Sequence, residues 1–208
     1  MSVIERAGMW CVLALAGLVA GTAGAAGFDT VAERIERAPV LRGTFTQEKQ
    51  VEGFRHPLRS SGRFVLAAER GVLWETLAPF PSEVVLTQTR IASRQPDGSW
   101  RVEADATRQP GLAAINATFF ALMGGDAAAL SARFDGDATL LPEGRWQLAL
   151  TPRPGPLAQA FTALRLDGAR FVEQVTFDDR QGDRTRIVFG DFSTEPAALT
   201  HEEAAHLE

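Results

Sequence analysis

The sequence is poor in cysteine and lysine, and both shortages exclude classes of function. Its one cysteine, Cys11, lies near the N-terminus, so the residues after it offer no disulfide, no zinc–thiolate site and no thiol nucleophile. Lys49 is the only lysine among 21 basic residues, and no run of basic residues occurs. Because 26 acidic residues give a net charge of -5 and phosphate binding needs clustered positive charge, nucleic acid is excluded as the natural partner.

The first 26 residues have the pattern of a secretory signal peptide. Residues 10–20 are almost entirely apolar, and Ala23-Gly24-Ala25 supplies the small residues that signal peptidase requires. The alternative, a transmembrane anchor, needs roughly 20 apolar residues, about twice the length of this stretch. The residues before Cys11 do not form a lipobox. We therefore expect cleavage near Ala25 and a mature chain, residues 27–208, that is unlipidated and folds as one domain.

The mature chain begins with a helical pattern and continues mainly as strands. Apolar residues from Phe28 to Ala38 recur at helical spacing, and Pro39 ends the helix. Thr30 and Glu33 have the spacing of a capping box at its start. The apolar period then becomes two, which predicts strands at about residues 42–51, 58–67, 71–77, 82–87, 89–94, 99–104, 131–135, 145–151, 161–167, 169–178 and 184–192.

An apolar helix interrupts the strands at about residues 109–123, and Asp126 has the position of a cap for a short helix that runs through Leu130. Consecutive strands joined by tight turns form antiparallel sheet. A flat sheet of about eleven strands would leave its apolar face in water. The sequence therefore predicts a mainly β fold, an antiparallel and incompletely closed β-barrel with helices as a lid.

The polar residues form no pattern that is typical of an enzyme. No nucleophile elbow, phosphate loop or dinucleotide fingerprint occurs. His201 and His206 are five residues apart, whereas a zinc-protease helix needs four, so we interpret the C-terminus as a solvated tail. His56 has no second ligand nearby in the sequence, and Asp178 and Asp179 fit a solvated turn. We expect no catalytic residue, no metal and no cofactor.

Large apolar side chains are abundant on a sheet that must curve. A barrel of about eight strands is filled by its own side chains, whereas a larger one encloses a cavity. Composition alone favours the packed core over the cavity. The side chains expected on the inner face, as the lining of a core or of a ligand cavity, are those of Phe45, Phe64, Leu66, Leu73, Trp74, Leu86, Ile91, Trp146, Leu148, Leu150, Leu164, Leu166, Phe177, Ile187 and Phe189.

Four short motifs follow one another in the mature chain. Residues 43–47 read Gly-Thr-Phe-Thr-Gln, residues 61–64 read Ser-Gly-Arg-Phe, and residues 70–75 read Arg-Gly-Val-Leu-Trp-Glu. The apolar helix at Leu112–Met123 is followed by Gly125-Asp126. In this order they resemble the small-x-Phe-x-Gln strand, the Gly-x-aromatic strand, the Arg-x-x-x-Trp segment and the lid of LolA-type lipoprotein carriers of Gram-negative bacteria.

The resemblance implies a barrel covered by helices, with a hydrophobic cavity that takes acyl chains. It implies that Leu112, Ile115, Phe119 and Leu122 belong to a lid, and Arg70 matches the basic residue that tethers the lid in the family. It also implies a monomeric periplasmic carrier that takes an acylated lipoprotein or lipid from an inner-membrane exporter to an outer-membrane acceptor. The missing lipobox favours this carrier over the receptor of the same pathway, which is a lipoprotein.

The chain also departs from the family pattern, which leaves alternatives open. No proline adjoins Arg70, and Thr87-Gln88-Thr89-Arg90-Ile91 replaces the family's Asp-Gly-x-x-x-Trp-x-Tyr. These departures suggest a divergent paralogue of the carriers. One alternative is a LolA-like lipid-binding sensor or an accessory protein of another lipid or polyene export system. Another is a secreted hydrolase with an unrecognised site, which would not carry acyl species through purification.

Overall fold

The computed structural model describes residues 27–68, 70–105, 108 and 110–207, without the side chains of residues 110–112 and 115. The expected signal peptide lies outside these residues. Within them, eleven strands form one sheet: β1 Val40–Gln50, β2 Leu58–Ala67, β3 Gly71–Ala78, β4 Ser82–Leu86, β5 Arg90–Arg94, β6 Trp100–Asp105, β7 Phe134–Leu140, β8 Trp146–Pro152, β9 Phe161–Gly168, β10 Val172–Asp179 and β11 Arg184–Ser193. The α-helices are α1 Phe28–Ala32, α2 Pro110–Gly124, α3 Ala127–Ser131, α4 Pro156–Ala160 and α5 His201–His206, with a 3₁₀ turn at Pro142–Gly144.

The sheet is antiparallel throughout and is not closed by hydrogen bonds. Its strand order is β6-β5-β4-β3-β2-β1-β11-β10-β9-β8-β7, so the first and last strands pair at its centre. The edge strands β6 and β7 are consecutive in the chain, and the segment that contains α2 and α3 joins them. The predicted fold class is confirmed, because the described chain is mainly β and its strands form one antiparallel sheet that is open between its two edges.

Most of the apolar side chains lie on one face of the sheet, which we call the inner face. They pack there against Val31 of α1, Leu122 of α2, Leu130 of α3 and Leu157 of α4. A smaller cluster lies on the opposite, outer face, where Ala67, Leu73, Val85 and Leu207 meet. The two clusters lie on opposite faces because successive side chains of a strand point to opposite sides of the sheet.

The first helix is shorter than the sequence predicted. It starts at Phe28 after Gly27 and ends at Ala32, so the predicted capping box of Thr30 and Glu33 is wrong. Beyond the helix, the backbone N–H of Glu36 donates to the carbonyl oxygen of Arg170, 2.8 Å away. The chain therefore leaves the helix to hydrogen-bond with the turn between β9 and β10.

Two predicted strand starts were also too early. The side chain of Asp126 accepts a hydrogen bond from the N–H of Ala129, as predicted, but the capped helix α3 continues through Ser131 and strand β7 starts only at Phe134. Strand β10 starts at Val172, because the N–H of Ala169 donates to the carbonyl oxygen of Phe171 and closes a turn.

The C-terminus is not the solvated tail that the sequence suggested. The hydroxyl of Thr200 and the side chain of Glu203 form a capping box that starts α5. The guanidinium of Arg42 makes two 2.7 Å hydrogen bonds to the carboxylate of Glu203, and this ion pair lowers the pKa of Glu203 to about 2. Leu207 is buried against the outer face. Helix α5 is thus fastened to the sheet by charge and by apolar contact.

Candidate functional site

The candidate site is the inner face together with the helices that cover it. All of the predicted cavity-lining side chains except Leu73 and Ile91 lie in the main apolar cluster or pack against it. Phe45, Phe64 and Trp146 are almost completely buried, whereas Phe177 and Ile187 are half-buried. The structure therefore assembles nearly the whole predicted set on one surface, where α2 covers it.

Four aromatic rings form the centre of this surface, one each from β1, β2, β3 and β11. The rings of Phe45 and Trp74 stack with centroids 3.8 Å apart, and Phe64 meets Phe189 edge to face at 5.4 Å. Gly62 faces Phe45 across the β1–β2 pair, and a Cβ atom there would lie 2.9 Å from the Phe45 ring and 1.9 Å from the carbonyl oxygen of Glu75. Any larger residue at position 62 would collide with these atoms, so the glycine of the Ser-Gly-Arg-Phe motif is required here.

The structure corrects the prediction that Leu73 lies on the inner face. Its neighbours Val72 and Trp74 both belong to the inner cluster, so Leu73 must point to the outer face. It packs there with Val85 and Leu207. The prediction placed two successive residues of one strand on the same face, which the pleat does not allow. Ile91 pairs with Leu86 and so shares the inner face, where it is half-buried.

Helix α2 occupies the place that the sequence assigned to a lid. Leu122 and Met123 are buried in the inner cluster, and Phe119 and Phe120 are half-buried against it. The side chains of Leu112 and Ile115 lie outside the described part of the structure. In the described part, the covering helix contributes its own apolar side chains to the core, so any ligand on the inner face would have to displace them.

The predicted tether at Arg70 does not hold the helix in this structure. Arg70 lies in the turn between β2 and β3 and is exposed, and its side chain makes no hydrogen bond or ion pair in the described part of the chain. Instead, Asn116 of α2 donates from Nδ2 to the carbonyl oxygen of Thr87, 2.9 Å away. Arg37 donates to the carbonyl oxygen of Gly125, directly after the helix, at 3.2 Å.

Asn116 is the residue that sequence reasoning missed. It is completely buried in a helix that is otherwise largely apolar. A buried amide is costly unless it is hydrogen-bonded, so one asparagine in an apolar helix is a signal for a specific partner. The signal was present in the sequence, but it does not identify the acceptor, which lies in the turn between β4 and β5.

An ion pair marks one end of the inner face. Lys49 follows Phe45 at even spacing along β1 and pairs with Thr185 of β11, so its position belongs to the inner face. Its Nζ atom lies 2.8 Å from Oδ2 of Asp183, and this hydrogen bond lowers the pKa of Asp183 below its ordinary value. The only lysine of the chain is therefore held at the end where the β1–β2 and β10–β11 hairpins turn.

In residues 27–207 apart from the undescribed positions, no three His, Cys, Asp or Glu side chains are grouped so that they could hold a metal ion. No helix within the same residues has the length and the apolar character needed to cross a membrane.

Comparison with known proteins finds a family that matches the sequence. The sequence model described as outer membrane lipoprotein carrier protein LolA-like matches residues 20–207. No significant match is found among curated protein sequences. The match to the family covers all the described elements.

Several solved structures are similar. A LolA superfamily protein from Nitrosomonas europaea is 9% identical, with 84% of this chain and 94% of that chain covered and a TM-score of 0.47. A DUF1329 family protein from Desulfovibrio piger is 11% identical, with 88% and 98% covered and a TM-score of 0.46. The MucA/MucB complex of Pseudomonas aeruginosa contains a chain that is 17% identical, with 84% and 60% covered and a TM-score of 0.43.

Proposed function

The chain belongs to the family of LolA-like outer membrane lipoprotein carrier proteins, and from this premise we propose that it is a periplasmic carrier of acyl chains. It binds the acyl chains of a lipoprotein or lipid on the inner face of the barrel. It receives this cargo from an inner-membrane exporter and delivers it to an acceptor at the outer membrane. We propose that it acts as a monomer, without a catalytic residue, a metal or a cofactor.

The observation that supports the proposal most directly is the cover over the inner face. Helix α2 buries Leu122 and Met123 among the inner side chains, but Phe119 and Phe120 remain half-buried. In the chain, the helix lies between the two edge strands β6 and β7 and takes no part in strand pairing, so it can move away without breaking strand pairs. Its departure would expose a continuous apolar surface that suits an acyl chain.

The energetics fit a carrier that must also release its cargo. Burial of each methylene group contributes about 0.8 kcal/mol, so an acyl chain of about 16 carbons offers on the order of 10 kcal/mol. Displacing the apolar side chains of α2 first subtracts from this gain. The net affinity is thereby lowered, and transfer to an acceptor with a preformed site becomes favourable.

The experiment is native purification followed by identification of bound lipid. We expect mass spectrometry of the extract to find acyl species, and we expect the delipidated protein to take up a fluorescent fatty acid saturably. Absence of both acyl species and saturable uptake would overturn the carrier proposal. A stable complex with the periplasmic domain of a membrane protein, without cargo transfer, would instead favour the lipid-binding sensor.

A further inference from the structure

Exposed apolar side chains are concentrated at one end of the molecule. The described residues contain six large apolar side chains that are strongly exposed, and four of them are Phe54, Leu58, Leu77 and Phe80. Phe80 is 81% exposed and Phe54 60%. We call these four side chains the apolar tip. The remaining two, Val102 and Leu140, lie on the edge strands β6 and β7.

The topology explains why the four side chains lie at the same end. Phe54 and Leu58 belong to the hairpin between β1 and β2, and Leu77 and Phe80 to the hairpin between β3 and β4. Strand β2 is antiparallel to both β1 and β3, so the two turns lie at the same end of the sheet. The pairing of Ser61 with Ala78 places the second turn beside the start of β2.

Both turns present their aromatic side chains on an ordered backbone. The N–H of Phe54 donates to the carbonyl oxygen of Val51 at 3.0 Å, and Gln50 donates from Nε2 to the carbonyl oxygen of Phe54 at 2.8 Å. Phe80 stands between two prolines, whose rings fix their own φ angles. Little backbone conformational entropy therefore remains to be lost when these side chains are buried against a partner.

Basic side chains lie beside the apolar tip together with acidic ones. Arg55 and Arg59 lie in the β1–β2 hairpin region with Glu48 and Glu52, and the N–H of Glu52 donates to Asp183. Arg59 is paired with Glu48, whereas exposed Arg55 has no ion pair in the described part of the chain. In a chain of net charge -5, this end therefore combines aromatic side chains with an available guanidinium.

We propose that the apolar tip is a docking surface for a bilayer that contains anionic phospholipids. Aromatic rings prefer the level of the lipid headgroups, and arginine near them is attracted by the negative surface potential. The strands that carry the tip pair on both sides, so the tip offers no free edge for a peptide strand. Docking would also turn the Lys49–Asp183 end of the inner face toward the membrane.

Membrane docking goes beyond the proposed cargo binding and is measured separately from it. The purified chain is sedimented with vesicles of phosphatidylglycerol and phosphatidylcholine, and with vesicles of phosphatidylcholine alone. We expect binding to the anionic vesicles that weakens about tenfold in the Phe54→Ser/Phe80→Ser variant, because partitioning follows the buried apolar area. We expect Arg55→Gln to weaken binding about fivefold and to reduce its salt dependence.

The controls are Val102→Ser and Leu140→Ser, which remove exposed apolar side chains elsewhere. They should bind vesicles like the unchanged protein, and every variant should take up a fluorescent fatty acid normally. Equal vesicle binding by the tip variant and the controls would overturn the proposal. So would lack of binding to anionic vesicles by a protein that still takes up the fatty acid. Tip-dependent binding to an exporter's periplasmic domain alone would identify a protein partner instead and would likewise refute membrane docking.

Discussion

Asn116 of helix α2 is hydrogen-bonded to the carbonyl oxygen of Thr87 by only half of its amide group. Its Nδ2 atom lies 2.9 Å from that oxygen, while its Oδ1 atom is buried and has no hydrogen-bond partner in the described part of the structure. The donor fastens the helix to the turn between β4 and β5. An unpaired buried acceptor costs free energy, and a movement of the helix that let water reach it would regain that free energy.

The first prediction concerns this contact. Replacing Asn116 with Ala removes the hydrogen bond to Thr87, and we expect a loss of about 1–2 kcal/mol in unfolding free energy. Because the helix loses this hydrogen bond to the barrel, a fluorescent fatty acid should also exchange faster. Thr118→Val is the control, since the Thr118 hydroxyl donates only to Ala114 of the same helix. Exchange at the unchanged rate in Asn116→Ala would refute the attachment.

The second prediction concerns Arg70. Because its side chain is exposed and makes no hydrogen bond within the described residues, Arg70→Leu should change neither the stability nor the exchange rate of a bound fatty acid by more than about twofold. Comparison of Arg70→Leu with Asn116→Ala shows which residue holds the helix: Arg70, as the family pattern implies, or Asn116, as the hydrogen bond to Thr87 indicates. A release rate that falls strongly in Arg70→Leu would restore the original assignment.

The inner face was predictable from the sequence because strand periodicity has a simple geometric cause. Phe64 and Leu66 are separated by one residue and both reach the main cluster, as an alternating pattern requires. The same rule shows why the prediction for Leu73 was wrong. It considered only that Leu73 is apolar and ignored its position between Val72 and Trp74, which both point to the inner face. Burial on the outer face depends on α5, which the strand pattern does not reveal.

Helix α5 shows what local sequence could have revealed and what it could not. Thr200 and Glu203 have the spacing of a capping box, and this spacing predicts a helix that starts there. The partner of Glu203 is Arg42, which lies 161 positions away in the sequence. Contacts over such separations depend on strand order, and a single sequence does not encode the pairing of β1 with β11 in any local pattern.

The third prediction concerns the ion pair between Arg42 and Glu203. The hydrogen bonds from Arg42 lower the pKa of Glu203 from 4.5 to about 2 in the folded chain. A carboxylate with a lowered folded-state pKa stabilises the fold fully above its unfolded pKa and loses that contribution as the pH falls through the folded value. The contribution, on the order of 1–3 kcal/mol, should therefore disappear between about pH 4.5 and pH 2.

Urea unfolding of the wild type and of Glu203→Gln at several pH values measures this contribution. Glu203→Gln should be less stable at pH 7 and should show a flatter pH dependence below pH 4.5. Glu202→Gln is the matched control, because Glu202 is the exposed neighbour and makes no ion pair in the described structure. Parallel pH curves for the wild type and Glu203→Gln would contradict the assignment.

The fourth prediction concerns the N-terminus. The apolar stretch of residues 10–20 and the small residues before position 26 lead us to expect cleavage near Ala25 during export. N-terminal sequencing of the protein released from the periplasm should begin at residue 26 or 27. Replacing Ala23 and Ala25 with Asp should leave the precursor uncleaved. Recovery of an intact N-terminus from the membrane fraction of the unchanged protein would contradict this expectation.

The last prediction tests the inner face as the acyl-binding surface. Phe177 is half-buried on this face, where its ring meets Phe161 edge to face at 5.3 Å, and it pairs with Leu164 and Thr185. Phe177→Asp would place an unpaired carboxylate against the acyl chain at a cost of several kcal/mol, so uptake of a fluorescent fatty acid should be abolished.

The neighbouring position on the same strand supplies the control for this substitution. Thr176 pairs with Arg165 and Arg186 on the outer face, so Thr176→Asp introduces the same charge beside two arginines. Both variants should keep the circular dichroism spectrum of the unchanged protein, because neither position is fully buried. Only Phe177→Asp should lose uptake. If both variants bind the fatty acid equally well, the acyl chain does not lie on the inner face, and the binding surface must be sought on the other side of the sheet.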